Sequence, residues 1–126
     1  MSEHLERLQW REVAPGRFAV EVDSVDSTQD LARRLLGSTD SVVSVRALHQ
    51  TAGRGRGGAR WIDAPGQALL ATWILRDSRL KGDRLTALAF AAALAVAEAV
   101  EAVAGIRLEF KWPNDLLLGG RKAGGI

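Results

Sequence analysis

The chain has 126 residues, enough for about one domain, with 47% apolar residues, 25% charged residues and a net charge of +2. It has no cysteine and two histidines, which excludes a disulfide scaffold, a thiolate metal site, a thiol nucleophile and a histidine-rich metal centre. No secretory signal is found, and the most apolar stretch, residues 85–97, is short for a membrane span, so we expect a cytoplasmic protein in which that stretch is a buried helix.

The first predicted elements are a strand, a helix and a second strand. Residues 18–22 alternate apolar and polar side chains and predict the first strand. Ser27 is placed to cap a helix, with Asp30 three residues later in near capping-box spacing, and Gly37 is placed to end it. Residues 42–48 are rich in β-branched side chains and predict the second strand.

A long polar connection follows, and four more elements come after it. They are a buried strand at 68–75, an alanine-rich helix at 83–104 ended by Gly105, a strand at 106–110 and a glycine-turn hairpin at 116–123. Regular βαβ alternation is missing from this order. The sequence therefore predicts an α/β (α+β) fold, with a mixed, largely antiparallel sheet and helices packed on one side.

The polar connection contains the run Gly-Arg-Gly-Arg-Gly-Gly-Ala-Arg-Trp at 53–61, here called the arginine loop. Glycine lets backbone N–H groups approach a ligand, and arginine matches phosphate and carboxylate oxygens, so the run favours binding of an anion. It has no Lys-Ser/Thr pair and precedes no predicted helix, which excludes a Walker loop and a dinucleotide fingerprint. Two other interpretations stay open: a solvated mobile loop, and an RGG-like nucleic-acid segment, although a single copy with one aromatic argues against the latter.

Two further segments carry polar chemistry. Lys-Trp-Pro-Asn-Asp at 111–115 predicts a tight turn held by the Asn114 and Asp115 side chains, and a buried tryptophan beside the lysine would favour a walled site. Lys122 follows a glycine turn. A lysine on a hairpin is usually solvated, but beside a pocket it could neutralise charge on a transferred carboxylate–phosphate group. Ser-Thr-Gln at 27–29 is either a plain helix cap or a set of donors for a polar ligand head.

Taken together, these motifs resemble the catalytic domain of biotin protein ligases. The family's Gly-Arg-Gly-Arg-x-Gly-Arg-x-Trp corresponds to 53–61, and its Lys-Trp-Pro-Asn-Asp to 111–115. Its Arg-Lys-x-x-Gly-Ile corresponds to 121–126 and its Ser-Thr-Asn/Gln to 27–29, in the same order and spacing. The resemblance implies a fold like that of class II aminoacyl-tRNA synthetases. It also implies a two-step reaction, in which biotin and Mg-ATP give biotinyl-5′-AMP and pyrophosphate, and biotin then passes to a lysine of a biotin carboxyl carrier domain of a biotin-dependent carboxylase.

The resemblance also implies roles for individual residues. Biotin contacts are expected from Ser27, Thr28, Gln29, Gln50, Arg54, Gly55, Arg56 and Lys122. Contacts to ATP or the adenylate are expected from Arg56, Arg60, Trp61, Lys111, Asn114 and Asp115. The catalytic residues would be Lys122 at the reacting carboxylate and α-phosphate, Arg54 over the adenylate, and Asp115 as base or orienter of the acceptor lysine. Magnesium would arrive with ATP, and no metal ligand is assigned.

The sequence departs from the family pattern in two places. Ala59 stands where the family usually has arginine, so either Arg60 replaces it or one adenylate contact is lost. The chain also stops where the family continues with further strands and a small β-barrel. We therefore expect residues 1–126 to be one incomplete catalytic domain, without an N-terminal winged helix and without nucleic-acid binding. Unpaired sheet edges leave pairing into a homodimer open.

Two alternative functions are compatible with the same pattern. A lipoate protein ligase shares the fold and the acyl-adenylate chemistry, but its relatives lack the arginine loop and the Lys-Trp-Pro-Asn-Asp turn. A non-catalytic biotin-binding fragment would hold biotin or its adenylate without transferring it.

Overall fold

The computed structural model describes residues 7–126, which divide into two compact units, one reaching to Arg76 and one beginning at Asp77. The first unit contains a four-stranded sheet. Its strands, in spatial order, are β1 (Gln9–Ala14), β2 (Arg17–Val25), β3 (Val42–Gln50) and β4 (Leu70–Trp73). β2 and β3 run parallel, whereas the β1–β2 and β3–β4 pairs are antiparallel. The predicted mixed, largely antiparallel sheet is therefore confirmed.

The helix α1 (Thr28–Leu36) connects the two parallel strands, which a tight turn could not join. Its buried apolar residues, Leu31, Ala32 and Leu35, lie on one stripe of the helix. They form one apolar cluster with three buried strand residues, Val20, Val42 and Val45. Removal of these side chains from water holds α1 on the sheet and fixes the position of its first turn.

The second unit contains the helix α2 (Asp83–Ala104) and an antiparallel sheet of three short strands. The strands are β5 (Glu109–Lys111), β6 (Asp115–Leu118) and β7 (Arg121–Gly125). Gly119 and Gly120 form the β6–β7 turn with φ of 57° and 75°, the left-handed values that a two-residue turn of type I′ requires. The predicted hairpin with a glycine turn is confirmed.

The sequence does not predict β1, so the expectation that the first strand begins at Phe18 is wrong. All six residues of β1 are exposed. An edge strand with both faces in solvent needs no apolar alternation, and alternation is the signal by which strands are predicted. The strand predicted at 68–75 shortens to β4, and Trp73 is 60% exposed because side chains alternate along the strand and Thr72 next to it points to the buried face.

The expected burial of the alanine-rich helix is also wrong. Only Ala93 of α2 is buried, and Leu94 and Val103 are 53% and 89% exposed. Apolar residues surround this helix instead of forming one stripe, so composition alone does not define a packing face. Among the residues that the structure describes, α2 is the one helix long and apolar enough to cross a bilayer by length and composition, with 22 residues and a mean hydropathy of 1.9. One such helix is weak evidence for a membrane span, because the core helix of a soluble protein can have the same length and composition.

Candidate functional site

The first turn of α1 is joined to β3 and β4 by hydrogen bonds. Ser27 has extended backbone angles, and its Oγ accepts the Gln29 N–H at 3.2 Å, as a helix cap does. The Thr28 N–H donates to Gln50 Oε1 at 2.8 Å, and the Thr28 and Thr72 hydroxyls lie 2.9 Å apart. Ser27, Thr28 and Thr72 are all buried. The predicted residues Thr28 and Gln50 are therefore joined directly by a hydrogen bond, and Ser27 caps the same turn of α1.

Asp63, which follows the arginine loop in the chain, binds the last two residues of β3. Its side chain is fully shielded from solvent; it accepts the Gln50 N–H at 3.2 Å and lies 2.8 Å from Nδ1 of His49. The hydrogen bond with His49 lowers the pKa of Asp63, and the Gln50 N–H adds to this against the desolvation that would raise it. Asp63 is thus a carboxylate built into the support of Gln50.

The arginine loop is a small hairpin. The Trp61 N–H donates to the Gly53 carbonyl at 2.9 Å and the Gly55 N–H to the Ala59 carbonyl at 2.7 Å, while Arg54 and Arg60 pair as an isolated antiparallel bridge. A 3-10 turn at Arg56–Gly58 closes the tip. These bonds give a glycine-rich segment a defined path although few apolar contacts hold it.

Gly53 stands at the base of this hairpin, where a side chain would crowd Gln50 and Trp61. A Cβ built at Gly53 would lie 2.9 Å from the Gln50 side-chain nitrogen and 3.0 Å from the Trp61 carbonyl oxygen. The absence of a side chain therefore lets the loop approach Gln50 closely.

Arg54 anchors the loop to α1 through Asp30. Its Nη1 and Nη2 donate to the two carboxylate oxygens of Asp30 at 2.7 and 2.9 Å, and Arg33 donates to the same group at 2.9 Å. The hydrogen bonds and charge of Arg54, with a smaller contribution from Arg33, lower the pKa of Asp30 to about 2. The predicted capping box is wrong, because the Ser27 N–H is bound by Asp26 at 2.7 Å while Asp30 faces the loop.

The other arginines of the loop differ in their surroundings. Arg60 donates from Nη2 to the Thr51 carbonyl at 3.3 Å, which turns it back along its own loop. Arg56 is exposed at the tip, and within residues 7–126 its guanidinium forms no hydrogen bond or ion pair. Gln29 is also exposed, on the first turn of α1.

The remaining predicted residues belong to the second unit. Lys122 Nζ lies 3.0 Å from Asp115 Oδ1. Gly125 is adjacent to this pair: a Cβ at Gly125 would lie 3.7 Å from the Lys122 side chain and 3.8 Å from Asp115 Oδ1. Asn114 donates from its side chain to the Ile126 carbonyl at 3.1 Å. The side chains of Asp115 and Asn114 thus bind Lys122 and Ile126, instead of holding the 111–115 turn as expected.

Trp112 corrects the expectation of a walled site. It is 67% exposed, and its ring lies 4.7 Å from the ring of Phe90, centroid to centroid. Lys111 before it is exposed and pairs with Asp115 in the β5–β6 register. Aromatic stacking on α2 is enough to position this tryptophan without enclosing it.

Three residues of the first unit that support the site are not assigned a role there by the sequence analysis: Asp30, Asp63 and Thr72. Asp30 lies in a motif but was interpreted as a helix-capping residue, whereas Thr72 is 44 positions from the threonine it contacts. The available sequence signal for Asp30 was an acidic residue next to the 27–29 motif in a chain whose loop carries three arginines. No sequence periodicity points to the other two.

Within residues 7–126, no three histidine, cysteine, aspartate or glutamate side chains converge where they could hold a metal ion.

Residues 21–126 match the model of the biotin/lipoate A/B protein ligase family. Over 112 residues the chain is 37% identical to the bifunctional ligase/repressor BirA of Bacillus spizizenii, covering 88% of this chain and 34% of that protein. Over 105 residues it is 41% identical to the biotin–[acetyl-CoA-carboxylase] ligase of Paracoccus denitrificans, covering 80% of this chain and 42% of that protein. The structure of the biotin protein ligase of Leishmania major in complex with biotin is similar with a TM-score of 0.71 and 29% identity, over 83% of this chain and 48% of that one. The chain thus spans between a third and a half of each of these relatives.

Proposed function

Because the chain belongs to the biotin/lipoate A/B protein ligase family, we propose that it carries the site of a ligase that activates biotin with ATP and transfers it to a carrier lysine. The observation that carries this proposal is the Thr28–Gln50 hydrogen bond beside the Ser27 cap, at the base of the arginine loop. Buried polar donors beside a glycine-rich cationic loop suit a ligand with a polar head and an anionic tail.

In this proposal the polar head of biotin is recognised at the base of the loop. The carbonyl oxygen of the Gln50 side chain is already bound to Thr28, so its amide nitrogen is the group that can donate to biotin. Ser27 contributes its hydroxyl group, and Gln29 lies exposed on the same turn. Gly55 lets the loop backbone approach the ligand.

The first chemical step joins two anions. A carboxylate oxygen of biotin attacks the α-phosphorus of ATP, the bond to the β-phosphate oxygen breaks, and pyrophosphate leaves with the electron pair. No protein nucleophile is needed, so catalysis consists of holding the anions in line and neutralising their charge. We assign this role to Lys122 and to the arginine loop through Arg54 and Arg56, with nucleotide contacts from Arg60, Trp61, Lys111 and Asn114.

The second step transfers the acyl group to a lysine of a biotin carboxyl carrier domain. The neutral lysine amine attacks the acyl carbon, AMP leaves, and the amine loses a proton. Asp115 is assigned to orient this amine or take the proton. Magnesium would enter with ATP and screen its phosphates. The proposal places the protein in the cytoplasm, where carboxylases and ATP are found.

Calorimetry of the protein with biotin, with and without Mg-ATP, tests the proposal when combined with an assay for pyrophosphate release. We expect biotin to bind, affinity to rise with Mg-ATP, and pyrophosphate to form. Lys122→Gln should weaken biotin binding, because Lys122 is assigned to the biotin carboxylate, and should lower pyrophosphate release by about 100-fold, the typical effect of losing one charge-stabilising group. Arg121→Gln, its exposed neighbour, is the matched control.

The alternatives give different results in the same experiment. Biotin binding without pyrophosphate release would support a non-catalytic biotin-binding protein. Turnover with lipoate in place of biotin would identify a lipoate ligase. Absence of both binding and turnover in folded protein would overturn the proposal.

A further inference from the structure

Arg54 forms a bidentate ion pair that crosses between two elements of the first unit. Asp30 lies in the first turn of α1, and Arg54 lies 24 positions later in the arginine loop. Both Asp30 oxygens are engaged, at 2.7 and 2.9 Å, in the paired geometry that gives arginine–carboxylate contacts their directional strength. No other side-chain ion pair connects α1 to the loop among residues 7–126.

We propose that Asp30 is a positioning residue that holds the arginine loop against α1, and that Arg54 acts on the ligand through this anchor and not by direct contact. The inference rests on the proposed function and changes the role assigned there to Arg54. A ligand carboxylate or phosphate could take the paired Nη1 and Nη2 donors of Arg54 only by displacing the Asp30 carboxylate that they already bind.

The location of Asp30 supports this role. Asp30 belongs to a helix that packs on the sheet, and it lies within three residues of Ser27. The anchor therefore connects the loop to the helix turn that carries Ser27, a proposed contact of the biotin head. The loop itself contains four glycines between 53 and 61, whose backbones lose much conformational freedom on ordering. An anchor that orders part of this segment beforehand lowers the entropy lost when ligand binds.

The alternative, direct contact of Arg54 with the ligand, makes a different prediction for a double-mutant cycle. If Arg54 acts only through Asp30, then Asp30→Ala, Arg54→Ala and the double variant weaken biotin binding by the same factor, about two- to fivefold. If Arg54 touches the ligand, Arg54→Ala weakens binding well beyond Asp30→Ala, and the double variant follows Arg54→Ala. The first pattern supports the anchor and the second overturns it.

Hydrogen exchange of the ligand-free protein tests the anchor independently of biotin. Asp30→Ala should speed exchange of the Gly55 and Trp61 amides by about two- to fivefold. Asp77→Ala is the matched control, because it removes another bidentate aspartate–arginine pair, with Arg79, in the second unit. Unchanged exchange at Gly55 and Trp61 in Asp30→Ala would overturn the proposal whatever the outcome of the biotin experiments.

A charge exchange separates the anchor from a general effect on folding. Asp30→Arg combined with Arg54→Asp restores an ion pair of opposite polarity, so slow exchange at Gly55 should return in the double variant and not in either single variant. Failure of the double variant to recover, with its melting temperature unchanged, would contradict a role through this pair. If Asp30→Ala speeds amide exchange in the loop but the wild-type protein binds no biotin, the anchor is supported and the proposed function is refuted.

Discussion

At the scale of single residues, the hydroxyls of Thr28 and Thr72 fix the first turn of α1 to β4. Both threonines are buried, and their oxygens lie 2.9 Å apart. We predict that Thr72→Val lowers the free energy of unfolding by about 1–3 kcal/mol, because it leaves the Thr28 hydroxyl buried without its partner. Chemical denaturation measures this loss.

A control variant makes this prediction specific to the pair. Thr28→Val with Thr72→Val removes both hydroxyls at once and should cost less than the sum of the two single variants, since no unpaired polar group is left. Strictly additive costs would show that the two hydroxyls do not interact.

Asp30 should also titrate at unusually low pH. Its pKa is lowered from 3.8 to about 2, chiefly by the hydrogen bonds from Arg54, so the ion pair contributes fully above pH 3.8 and is lost as pH falls toward 2. We predict that Arg54→Gln raises the pKa of Asp30 toward 3.8 and that Arg33→Gln raises it less. Carbon NMR of the carboxyl group measures the pKa, and a value near 3.8 in the wild-type protein would contradict the pairing.

The sequence predicts the residues of the motifs but not the residues that hold them. The caps and turns at Ser27, Gly105 and Gly119 follow from local chemistry, which sequence spacing records. Asp63 reaches Gln50 from the connection between β3 and β4, and Thr72 reaches Thr28 from β4. Such contacts depend on the tertiary fold, so no local pattern predicts them.

At the scale of secondary-structure elements, the glycines that end the two helices differ although the sequence predicts both in the same way. Gly105 has φ of 67° and its N–H bonds to Glu101, whereas Gly37 has φ of −69°. We predict that Gly105→Ala destabilises α2 by about 1–2 kcal/mol, the cost of a left-handed alanine. Circular dichroism during thermal unfolding measures the effect.

Gly37→Ala is the matched control for this helix-end prediction. It places alanine at a right-handed position and should leave stability unchanged or raise it slightly, because the unfolded chain loses freedom. An equal loss in the two variants would contradict the difference in backbone conformation.

Amphipathic and well-capped elements were predicted closely, and elements without a buried face were not. α1 begins directly after its predicted cap, and its residues Leu31, Ala32 and Leu35 form a clear apolar stripe. β1 has no buried residue, and the apolar residues of α2 define no stripe, so the existence of β1 and the exposure of α2 escaped prediction. The boundaries of α2 were nevertheless predicted at both ends, since its alanine-rich run and Gly105 are local signals.

At the scale of the whole molecule, the two units are joined by residues 74–82, which have no regular secondary structure. The Arg79 side chain there is 77% exposed. We predict that limited trypsin digestion cuts first in this connection and in the arginine loop, because exposed irregular segments are preferred sites of cleavage. Mass spectrometry of the early fragments identifies the cuts.

Biotin with Mg-ATP distinguishes the two cleavage regions. Ligand should protect the arginine loop and leave cleavage at Arg79 and Lys81 unchanged. Early cleavage within β3 at Arg46, or equal protection of both regions, would contradict this description of the chain.

The ion pair between Lys122 and Asp115 has a consequence for the order of events in the proposed reaction. The two opposite charges cancel at 3.0 Å, so an anion that pairs with Lys122 must share or displace the carboxylate of Asp115. Arrival of the anion is then a counterion exchange, in which a carboxylate is released as a negative charge is taken up. If the proposed reaction holds, we expect the released carboxylate to be available to the ammonium group of an acceptor lysine only after the first substrate is in place. A single hairpin could in this way make the second half-reaction wait for the first.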